Sequence, residues 1–374
     1  MAKSSAERKR SSRREKPVTP AELRNRLMRL DMQLIELIQQ RAQCAVELGK
    51  LAPEEFGSTA ELDSAQATAR QLAERCPGAL STHQLESLLR DVYSSCRSLV
   101  HPLRVAILGP VYSYSHLAAL HRFGQNVEYV PVGTIPAVFE EVQLRHAQYG
   151  LVPIENSTDG RVADTLDMFT RIKTTITGVI EMRIHHTLLG RCGRGEVREV
   201  YSRPQALSQC RNWLAQHLPG ARTIEVTSTS TAAQLAREKP GAAAIASRQA
   251  GSYYGLEVLA ENIEDNPGNL TRFAVIGGEP AKRSGKDRTA IWFQVEHRPG
   301  ALAEAMNVFR RNSVNLTWIE SFPIPGHERA YLFFVEMEGH NHDARVRRAV
   351  AALGRHALRM EVLGSFPAPV LVED

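Results

Sequence analysis

The chain has 374 residues, of which 43% are hydrophobic and 23% charged, a composition typical of a globular protein with two or three domains. No apolar run approaches the length of a membrane span, so we expect no membrane partner. The formal charge of +5 lies entirely in Met1–Lys16, which carries seven basic and two acidic residues. We therefore predict a disordered basic tail over residues 1–18 and no nucleic-acid partner.

The cysteines indicate the redox environment of the protein and whether a metal site is expected. Their number is odd and no C-x-x-C spacing occurs among Cys44, Cys76, Cys96, Cys192 and Cys210. This pattern indicates reduced thiols, with neither disulfides nor a metal site. The tail also lacks the apolar stretch of a signal peptide, so we expect a cytoplasmic location.

Residues 19–101 are predicted to form an all-α domain. Thr19-Pro20-Ala21-Glu22 combines a capping residue, a proline at the first helical position and a glutamate three residues after the cap. Leucines at helical spacing continue this helix to about Leu51, and Asp63–Arg75 and Thr82–Val100 read as two more helices. Three such helices cannot bury their apolar stripes alone, so we expect a homodimer or a higher homo-oligomer.

Residues 103–280 alternate between strands and helices, which predicts an α/β domain. The predicted strands are Arg104–Leu108, Tyr149–Ile154, Glu181–Leu189, Glu199–Tyr201 and Thr223–Val226, and the predicted helices are Gln205–His217 and Thr231–Arg237.

Polar loops follow several of these strands. In doubly wound sheets such loops bind anions, because free backbone N–H groups point there. The chain has no phosphate-binding glycine loop, so a small polyanionic organic acid fits better than a nucleotide. The loops are Ser113–Ser115, Asn156–Thr158, Ser202–Gln205, Thr227–Thr231 and Asn269–Arg272.

The stretch Asn262–Phe273 contains the strongest candidate for chemistry. Pro267-Gly268 predicts a turn, and an extended segment begins at Phe273. Thr271 and Arg272 are therefore expected at a loop-to-strand junction, from which a sheet can aim a hydroxyl and a guanidinium into a cleft.

Residues 288–366 follow a charged linker, Arg283–Asp287, and have the βαββαβ order of a ferredoxin-like domain. The predicted strands are Thr289–Glu296, Asn315–Phe322, Ala330–Glu338 and Met360–Ser365, and the predicted helices are Ala301–Arg311 and His342–Leu353.

Taken together, the three units resemble the bifunctional chorismate mutase–prephenate dehydratase family in order and over nearly the whole chain after the tail. The residues that carry this resemblance in the central domain are Gly109-Pro110, Ser113–Ala119, Val152–Ser157, Ser202-x-Pro204-Gln205-Ala206-Leu207, Ser228–Ala233, Ala243–Ser247 and Asn269–Phe273. Tyr112 stands where the family usually has glycine, which would narrow the cleft.

The resemblance implies a two-lobed, periplasmic-binding-protein-like central domain that converts prephenate to phenylpyruvate without a cofactor. Its catalytic motif is Thr271-Arg272-Phe273. Thr271 would hydrogen-bond the leaving hydroxyl, Arg272 would bind or orient a carboxylate, and a relay through water or Glu155 would assist. The substrate-binding residues implied are Ser113, Ser115, Glu155, Asn156, Ser157, Gln205, Ser228, Thr229, Ser230 and Asn269.

The helical domain resembles the all-α chorismate mutase, with Arg24, Arg41 and Lys50 matching or replacing cationic site residues. Other expected polar groups are missing, and Val100 and Cys96 occupy two of those positions. We interpret the domain as a degenerate mutase, inactive or very weak, that is retained for dimerisation. The alternative is a fully bifunctional enzyme.

The C-terminal unit resembles an ACT domain, which in this family binds phenylalanine as a feedback inhibitor. Phe322 replaces an arginine of the family's pattern, so a structural dimerisation module without this control is the alternative. A rival for the whole chain is a non-catalytic sensor of small acids with an ACT dimer. The phenylalanine-binding residues implied are Gly300, Ala301, Leu302, Asn315, Leu316, Glu320 and Ser321.

Overall fold

A computed structural model describes residues 19–158, 160–324, 330–369 and 371–372. The tail predicted over residues 1–18 lies outside the described residues. From its N-terminal end, the described chain forms a helical region, an α/β region with two sheets, and a four-stranded sheet with two helices.

In the helical region each helix begins after a hydroxyl residue that accepts a backbone hydrogen bond: Thr19, Ser58 and Ser81. The Thr19 capping box confirms the predicted start of the first helix. The second helix begins four residues earlier than predicted, because Ser58 is its cap. The helices are α1 (Pro20–Leu51), α2 (Thr59–Arg75) and α3 (Thr82–Ser98), with a short 3₁₀ turn at Pro53–Glu55.

Most of α1 is exposed and packs against no other part of the described chain. Five leucines along one side of it are 48–62% exposed, whereas Gly49 near its end is buried against Val100. An apolar stripe this long is unusual on a free surface. The stripe comprises Leu23, Leu27, Leu30, Leu34 and Leu37.

The first lobe of the α/β region is built on a seven-stranded mixed sheet, whose strands pair in the order β16-β5-β11-β3-β1-β2, with β4 added to β3. Its elements up to the first crossing are β1 (Arg104–Leu108), α4 (Tyr114–Phe123), β2 (Glu128–Val132), α5 (Ile135–Gln143), β3 (Tyr149–Asn156), β4 (Gly160–Arg161), α6 (Ala163–Arg171) and β5 (Ile176–Arg183). The strands that complete it later in the chain are β11 (Leu270–Gly277) and β16 (Leu371–Val372).

The second lobe is a five-stranded sheet in the order β10-β6-β9-β7-β8. Its elements are β6 (Thr187–Gly190), β7 (Glu199–Ser202), α7 (Pro204–Gln209), α8 (Arg211–His217), β8 (Arg222–Glu225), α9 (Thr229–Glu238), β9 (Ala242–Ala246), α10 (Arg248–Tyr254) and β10 (Glu257–Ala260).

The chain passes between the lobes twice, through residues 184–186 and through residues 261–269. The predicted strand Glu181–Leu189 is therefore wrong: it is two strands, β5 and β6, in different sheets. The predicted helix Gln205–His217 is likewise two helices, α7 and α8, that meet at Cys210. Both crossings lie side by side, since the Ile184 N–H donates to the Asn269 carbonyl at 2.9 Å.

The C-terminal part has the predicted βαββαβ order, and its strands pair in the order β13-β14-β12-β15. One face of this sheet shares a hydrophobic core with the first lobe, in which Trp292, Phe334 and Phe366 pack with Phe169 and Ile176. The elements are β12 (Asp287–Gln294), α11 (Ala301–Arg311), β13 (Leu316–Pro323), β14 (Tyr331–Glu338), α12 (Ala344–Leu353) and β15 (Arg359–Pro367).

All five cysteines are free thiols in the structure. In the part of the chain that the structure describes, no helix is both long and apolar enough to span a membrane. The same residues contain no cluster of three or more His, Cys, Asp or Glu side chains placed to hold a metal ion.

Candidate active site at the junction of the lobes

Asn156 and Thr271 face each other at the edge of the first lobe. They are paired residues on the antiparallel strands β3 and β11, next to the crossing that leads to the second lobe. The Asn156 Nδ2 atom lies 2.8 Å from the Thr271 Oγ1 atom, and Thr271 is 9% exposed. The sheet therefore fixes the threonine hydroxyl at the junction.

The orientation of the Asn156 amide follows from its other contact. Its Oδ1 atom accepts from the Thr158 backbone N–H at 2.9 Å, so its Nδ2 group must be the one that donates to Thr271. The Thr271 oxygen is thus an acceptor in this bond. Within the described residues the Thr271 proton has no acceptor, so the hydroxyl is set up to donate to a ligand.

A chain of amide hydrogen bonds ties this pair to the second lobe. Asn156 Nδ2 also donates to Asn269 Oδ1 at 3.1 Å, and Asn269 Nδ2 donates to Gln209 Oε1 at 3.0 Å. Gln209 Oε1 lies 2.8 Å from His186 Nε2, and the Tyr114 hydroxyl lies 2.9 Å from His186 Nδ1. Because Asn269 is 1% exposed, the chain is shielded from water over its middle part.

His186 is neutral in this network. Burial lowers the pKa of its imidazole and outweighs the opposing effects of Gln209 and Glu264. Since Gln209 Oε1 can only accept, the proton of the neutral ring belongs on Nε2. The single Tyr114 proton is shared between the His185 carbonyl at 2.8 Å and His186 Nδ1 at 2.9 Å. The network can fix which atoms of Asn156 and Thr271 donate and which accept hydrogen bonds without carrying a net charge.

Glu264 anchors the crossing between the lobes. Its Oε2 atom accepts from the His186 backbone N–H at 2.9 Å, and its Oε1 atom lies 2.7 Å from His185 Nδ1. Its side chain is 1% exposed. This carboxylate therefore holds the two crossing segments together and fixes where the lobes meet.

Of the predicted site residues, the structure brings Asn156, Ser157, Asn269 and Thr271 together. Ser157 exchanges two hydrogen bonds of 2.8 Å with Leu270, one through its backbone N–H and one through its Oγ atom. Ser157 thus holds the two loop ends in register.

Arg272 and Glu155 do not face this site, so the predicted contact of Arg272 with substrate and the relay through Glu155 are not supported. Successive side chains of a strand point to opposite faces, and Arg272 therefore points away from Thr271. Its guanidinium lies 3.2 Å from Glu155, 3.4 Å from Glu181 and 2.5 Å from Glu336 of β14. Arg272 joins the first lobe to the C-terminal sheet.

Phe273 lies on the same face of β11 as Thr271 but is 2% exposed in the core of the first lobe. The phenyl ring packs in the hydrophobic cluster that contains Leu151, Ile180 and Val275. Packing thus explains why Phe273 is part of the motif. Its side chain has no polar atom that could take part in a reaction.

The remaining predicted residues lie at helix starts in both lobes. Ser113 caps α4 and Ser228 caps α9 through their Oγ atoms, and Gln205 lies in the first turn of α7. Ser230 is fully buried, and its Oγ atom has no hydrogen-bond partner in the described residues. The set also includes Ser115 and Thr229, which lie in the first turns of α4 and α9.

Tyr112 of the first lobe contacts the second lobe beside the cleft. Its φ of 61° lies in the left-handed region, which explains why glycine suits this position. Its ring packs against Tyr253 of the second lobe at a centroid distance of 4.5 Å, and its carbonyl accepts from Ser247 Oγ at 3.3 Å. The expectation that Tyr112 narrows the cleft agrees with this placement.

Sequence reasoning missed the residues that link the site to the second lobe: His185, His186, Gln209, Glu264 and Tyr114. The available signal was the adjacent pair His185-His186 within a segment predicted to be a strand. Gln209 gave no signal, because its role depends on how α7 packs beside the crossing.

The mutase-like residues are spread along α1. Arg24 and Arg41 are 17 residues apart, or about 25 Å along the helix axis, so they cannot bind one small ligand within this chain. Arg41 lies over the Tyr93 ring at 4.2 Å, and Lys50 is exposed.

The predicted phenylalanine-binding residues lie around α11 and β13. Gly300, Ala301 and Leu302 begin α11, and Asn315 donates to Glu338 at 3.2 Å. Leu316, Glu320 and Ser321 lie on β13, and Glu320 is 3.6 Å from Arg161 of the first lobe. Leu302 and Leu316 pack against the same hydrophobic cluster.

Two α/β lobes that meet at a hydroxyl and several amides define a class of fold that holds a small ligand between lobes. The family model for prephenate dehydratase matches residues 105–281. Two relatives are named bifunctional chorismate mutase/prephenate dehydratase. The one from Stutzerimonas stutzeri is 37% identical to this chain, and the alignment covers 93% of this chain and 98% of the relative. The one from Aquifex aeolicus is 39% identical, and the alignment covers 94% of this chain and 99% of the relative. A solved prephenate dehydratase from Arthrobacter aurescens, in complex with L-Phe, has 32% identity and a TM-score of 0.66, and the match covers 71% of this chain and 90% of that one. The chain belongs to the bifunctional chorismate mutase/prephenate dehydratase family.

Proposed function

We propose that this protein is a prephenate dehydratase, which converts prephenate to phenylpyruvate with loss of CO₂ and water. The observation that carries the proposal is the Asn156–Thr271 hydrogen bond of 2.8 Å, which leaves the threonine proton available at the junction of the lobes. Family membership and the dehydratase model over residues 105–281 support the same reaction.

For this reaction the protein needs only to position the substrate and to supply hydrogen bonds to it. As the ring carboxylate leaves as CO₂, its bonding electron pair enters the ring, the ring hydroxyl departs with the C–O pair, and the ring becomes aromatic. Thr271 would donate its proton in a hydrogen bond to the departing oxygen, where negative charge develops. The helix starts at Ser113, Gln205 and Ser228 would bind the carboxylates through free backbone N–H groups.

Substitution of Thr271 tests this proposal. We expect Thr271→Val, which keeps the shape and removes the donor, to lower kcat for prephenate by about 10²–10³-fold. Thr271→Ser keeps the donor and should stay within about tenfold of the parent. The readout is phenylpyruvate formation, with circular dichroism to confirm the fold. A Thr271→Val rate equal to that of the parent would eliminate the proposed role.

The helical region, residues 19–101, is proposed to be a dimerising scaffold with little or no mutase activity. The separation of Arg24 from Arg41 means that a complete cationic site would need a second copy of the chain. Val100 also packs directly against Gly49, where the mutase pattern calls for a polar side chain. The bifunctional alternative is favoured by the names of the relatives, and measurement of chorismate consumption separates the two.

The C-terminal part, residues 288–366, is proposed to be an ACT domain that binds L-phenylalanine as an effector. Its βαββαβ topology and the L-Phe complex of the Arthrobacter aurescens structure support this proposal. The dehydratase domain itself is assigned to residues 103–280. The five free thiols favour a cytoplasmic location.

A further inference from the structure

A separate cavity of about 400 Å³ lies where three parts of the chain meet. Its walls come from α2 and α3 of the helical region, from α4, β5 and β11 of the first lobe, and from the C-terminal residues near Pro367 and Leu371. None of the side chains at the Asn156–Thr271 site lines it. Its volume lies within the range of sites for small organic molecules.

One wall of the cavity is cationic, but most of its charges are neutralised. Arg97 binds Glu61 at 2.7 Å, and Arg122 binds Asp63 at 2.5 Å. Arg70, on the rim, lies 3.3 Å from Glu74. These ion pairs account for three of the four arginines in the lining, so they do not call for an anionic ligand.

Arg90 is the exception. It donates to Ser87 Oγ at 2.9 Å and lies 3.1 Å from His121 Nδ1, and within the described residues no carboxylate comes within 4.0 Å of its guanidinium. The Nε atoms of Arg90 and Arg122 are both buried and have no partner in the described chain. Burial lowers the pKa of Arg90 and outweighs the opposing effects of Asp91 and Glu86. A buried guanidinium is strongly stabilised by a carboxylate.

The opposite wall is apolar. Phe123 and Ile180 belong to the core of the first lobe, and Leu371 and Val372 close the side nearest the C-terminus. A ligand here would place a hydrocarbon body against these side chains and an acidic group against Arg90. With a single unpaired cation, and with Asp63 and Glu86 also in the wall, the site disfavours a second negative charge.

We propose that this cavity binds a small monocarboxylic acid with an apolar body, with the carboxylate on Arg90 and the body against Phe123 and Ile180. A dianion such as the substrate of the dehydratase is disfavoured by the same charge balance. Because the walls belong to three parts of the chain, an occupied cavity would hold the helical region, the first lobe and the C-terminal residues together. The site is independent of the proposed function.

The test is calorimetric titration of the full-length protein with 3-phenylpropionate, and with 3-phenylpropionamide as the uncharged control. Arg90→Met removes the proposed partner of the carboxylate. Arg70→Met, the matched control, removes the same charge from the paired arginine on the rim. Gly178→Leu fills the cavity without changing charge, since an added Cβ there meets only ordinary contacts at 3.6 Å or more. Asn156→Ala reports any binding at the dehydratase site.

We expect Arg90→Met and Gly178→Leu each to weaken binding of 3-phenylpropionate by about tenfold or more. Arg70→Met and Asn156→Ala should stay within about twofold of the parent, and the amide should bind at least about tenfold more weakly than the acid. The proposal is overturned if the parent does not bind the acid at about 10 mM. It is also overturned if Gly178→Leu binds as the parent does, or if Asn156→Ala alone abolishes binding.

Discussion

Thr271 and Arg272 are neighbours in the chain, yet they act on opposite faces of β11. Thr271 faces the junction of the lobes, whereas Arg272 is 6% exposed between the first lobe and the C-terminal sheet. There it meets three carboxylates and also lies over the Trp318 ring at 5.5 Å. The strand β11 therefore carries both the proposed catalytic threonine and an arginine that contacts the C-terminal domain.

Arg272→Met should lower the free energy of unfolding by about 3–5 kcal/mol, because it leaves Glu336 buried without its closest partner. The Glu336 side chain is 2% exposed. Arg288→Met is the matched control: Arg288 also binds Glu336, at 2.8 Å, but its side chain is 24% exposed and should contribute less. Urea unfolding of both variants measures the difference. Equal losses in the two variants would contradict the central place given to Arg272.

The sequence assigned Asn156, Asn269 and Thr271 to one site, and the structure places them in hydrogen-bond contact, whereas Arg272 points away from them. The cause is a strand boundary. The extended segment was expected to begin at Phe273, which left Thr271 and Arg272 in a loop where both could point into a cleft. In the structure β11 begins at Leu270, so strand alternation separates them.

At the scale of elements, α1 is exposed along a regular apolar stripe. Leu23, Leu27, Leu30, Leu34 and Leu37 recur at alternating steps of four and three residues, the spacing at which two helices pack along a common seam. The capping box at Thr19 and the leucine spacing made this helix predictable from sequence. The described residues leave the stripe exposed, and we propose that a second copy covers it.

Leu30→Glu with Leu34→Glu should convert the dimer to a monomer, because the change places two charges in the proposed interface. Both leucines are more than half exposed in the single chain, so the substitutions remove little intramolecular packing. Gln33→Glu on the same helix is the control. Light scattering after size-exclusion chromatography gives the mass. A double variant with the same mass as the parent would place the oligomer interface elsewhere.

The sheet crossings show where element prediction fails. Residues 181–189 read as one extended segment in the sequence, but β5 and β6 belong to different lobes. Local residue preferences describe whether a segment is extended, not which strand it pairs with. The partner strands are β11 for β5 and β9 for β6, and both come from distant parts of the chain.

Across the whole molecule, the first lobe and the C-terminal sheet form one packed body. Gly364 of β15 lies so close to β5 that an added Cβ would overlap the Ile176 carbonyl oxygen. Together with the core that they share, this contact means that a ligand bound to the C-terminal sheet can influence β5 and β11. The proposed effector thus has a physical route to Thr271.

L-Phenylalanine should therefore lower turnover of prephenate and raise the midpoint of thermal unfolding. At a concentration of about 100 times its Kd, a ligand of the folded state adds about 2.7 kcal/mol to the free energy of unfolding. D-Phenylalanine serves as the control. If the L enantiomer changes neither the rate nor the unfolding midpoint, the C-terminal domain is a structural module, as the loss of an arginine at Phe322 would allow.

The most direct measurement supplies the purified protein with chorismate and, in parallel, with prephenate, each against a blank without enzyme. We predict that prephenate yields phenylpyruvate and that chorismate disappears only at the blank rate. The chain would then be a dehydratase that depends on a separate mutase for its substrate. Failure to convert prephenate would contradict the proposed function and favour a sensor of small acids. Consumption of chorismate would contradict the scaffold role of the helical region.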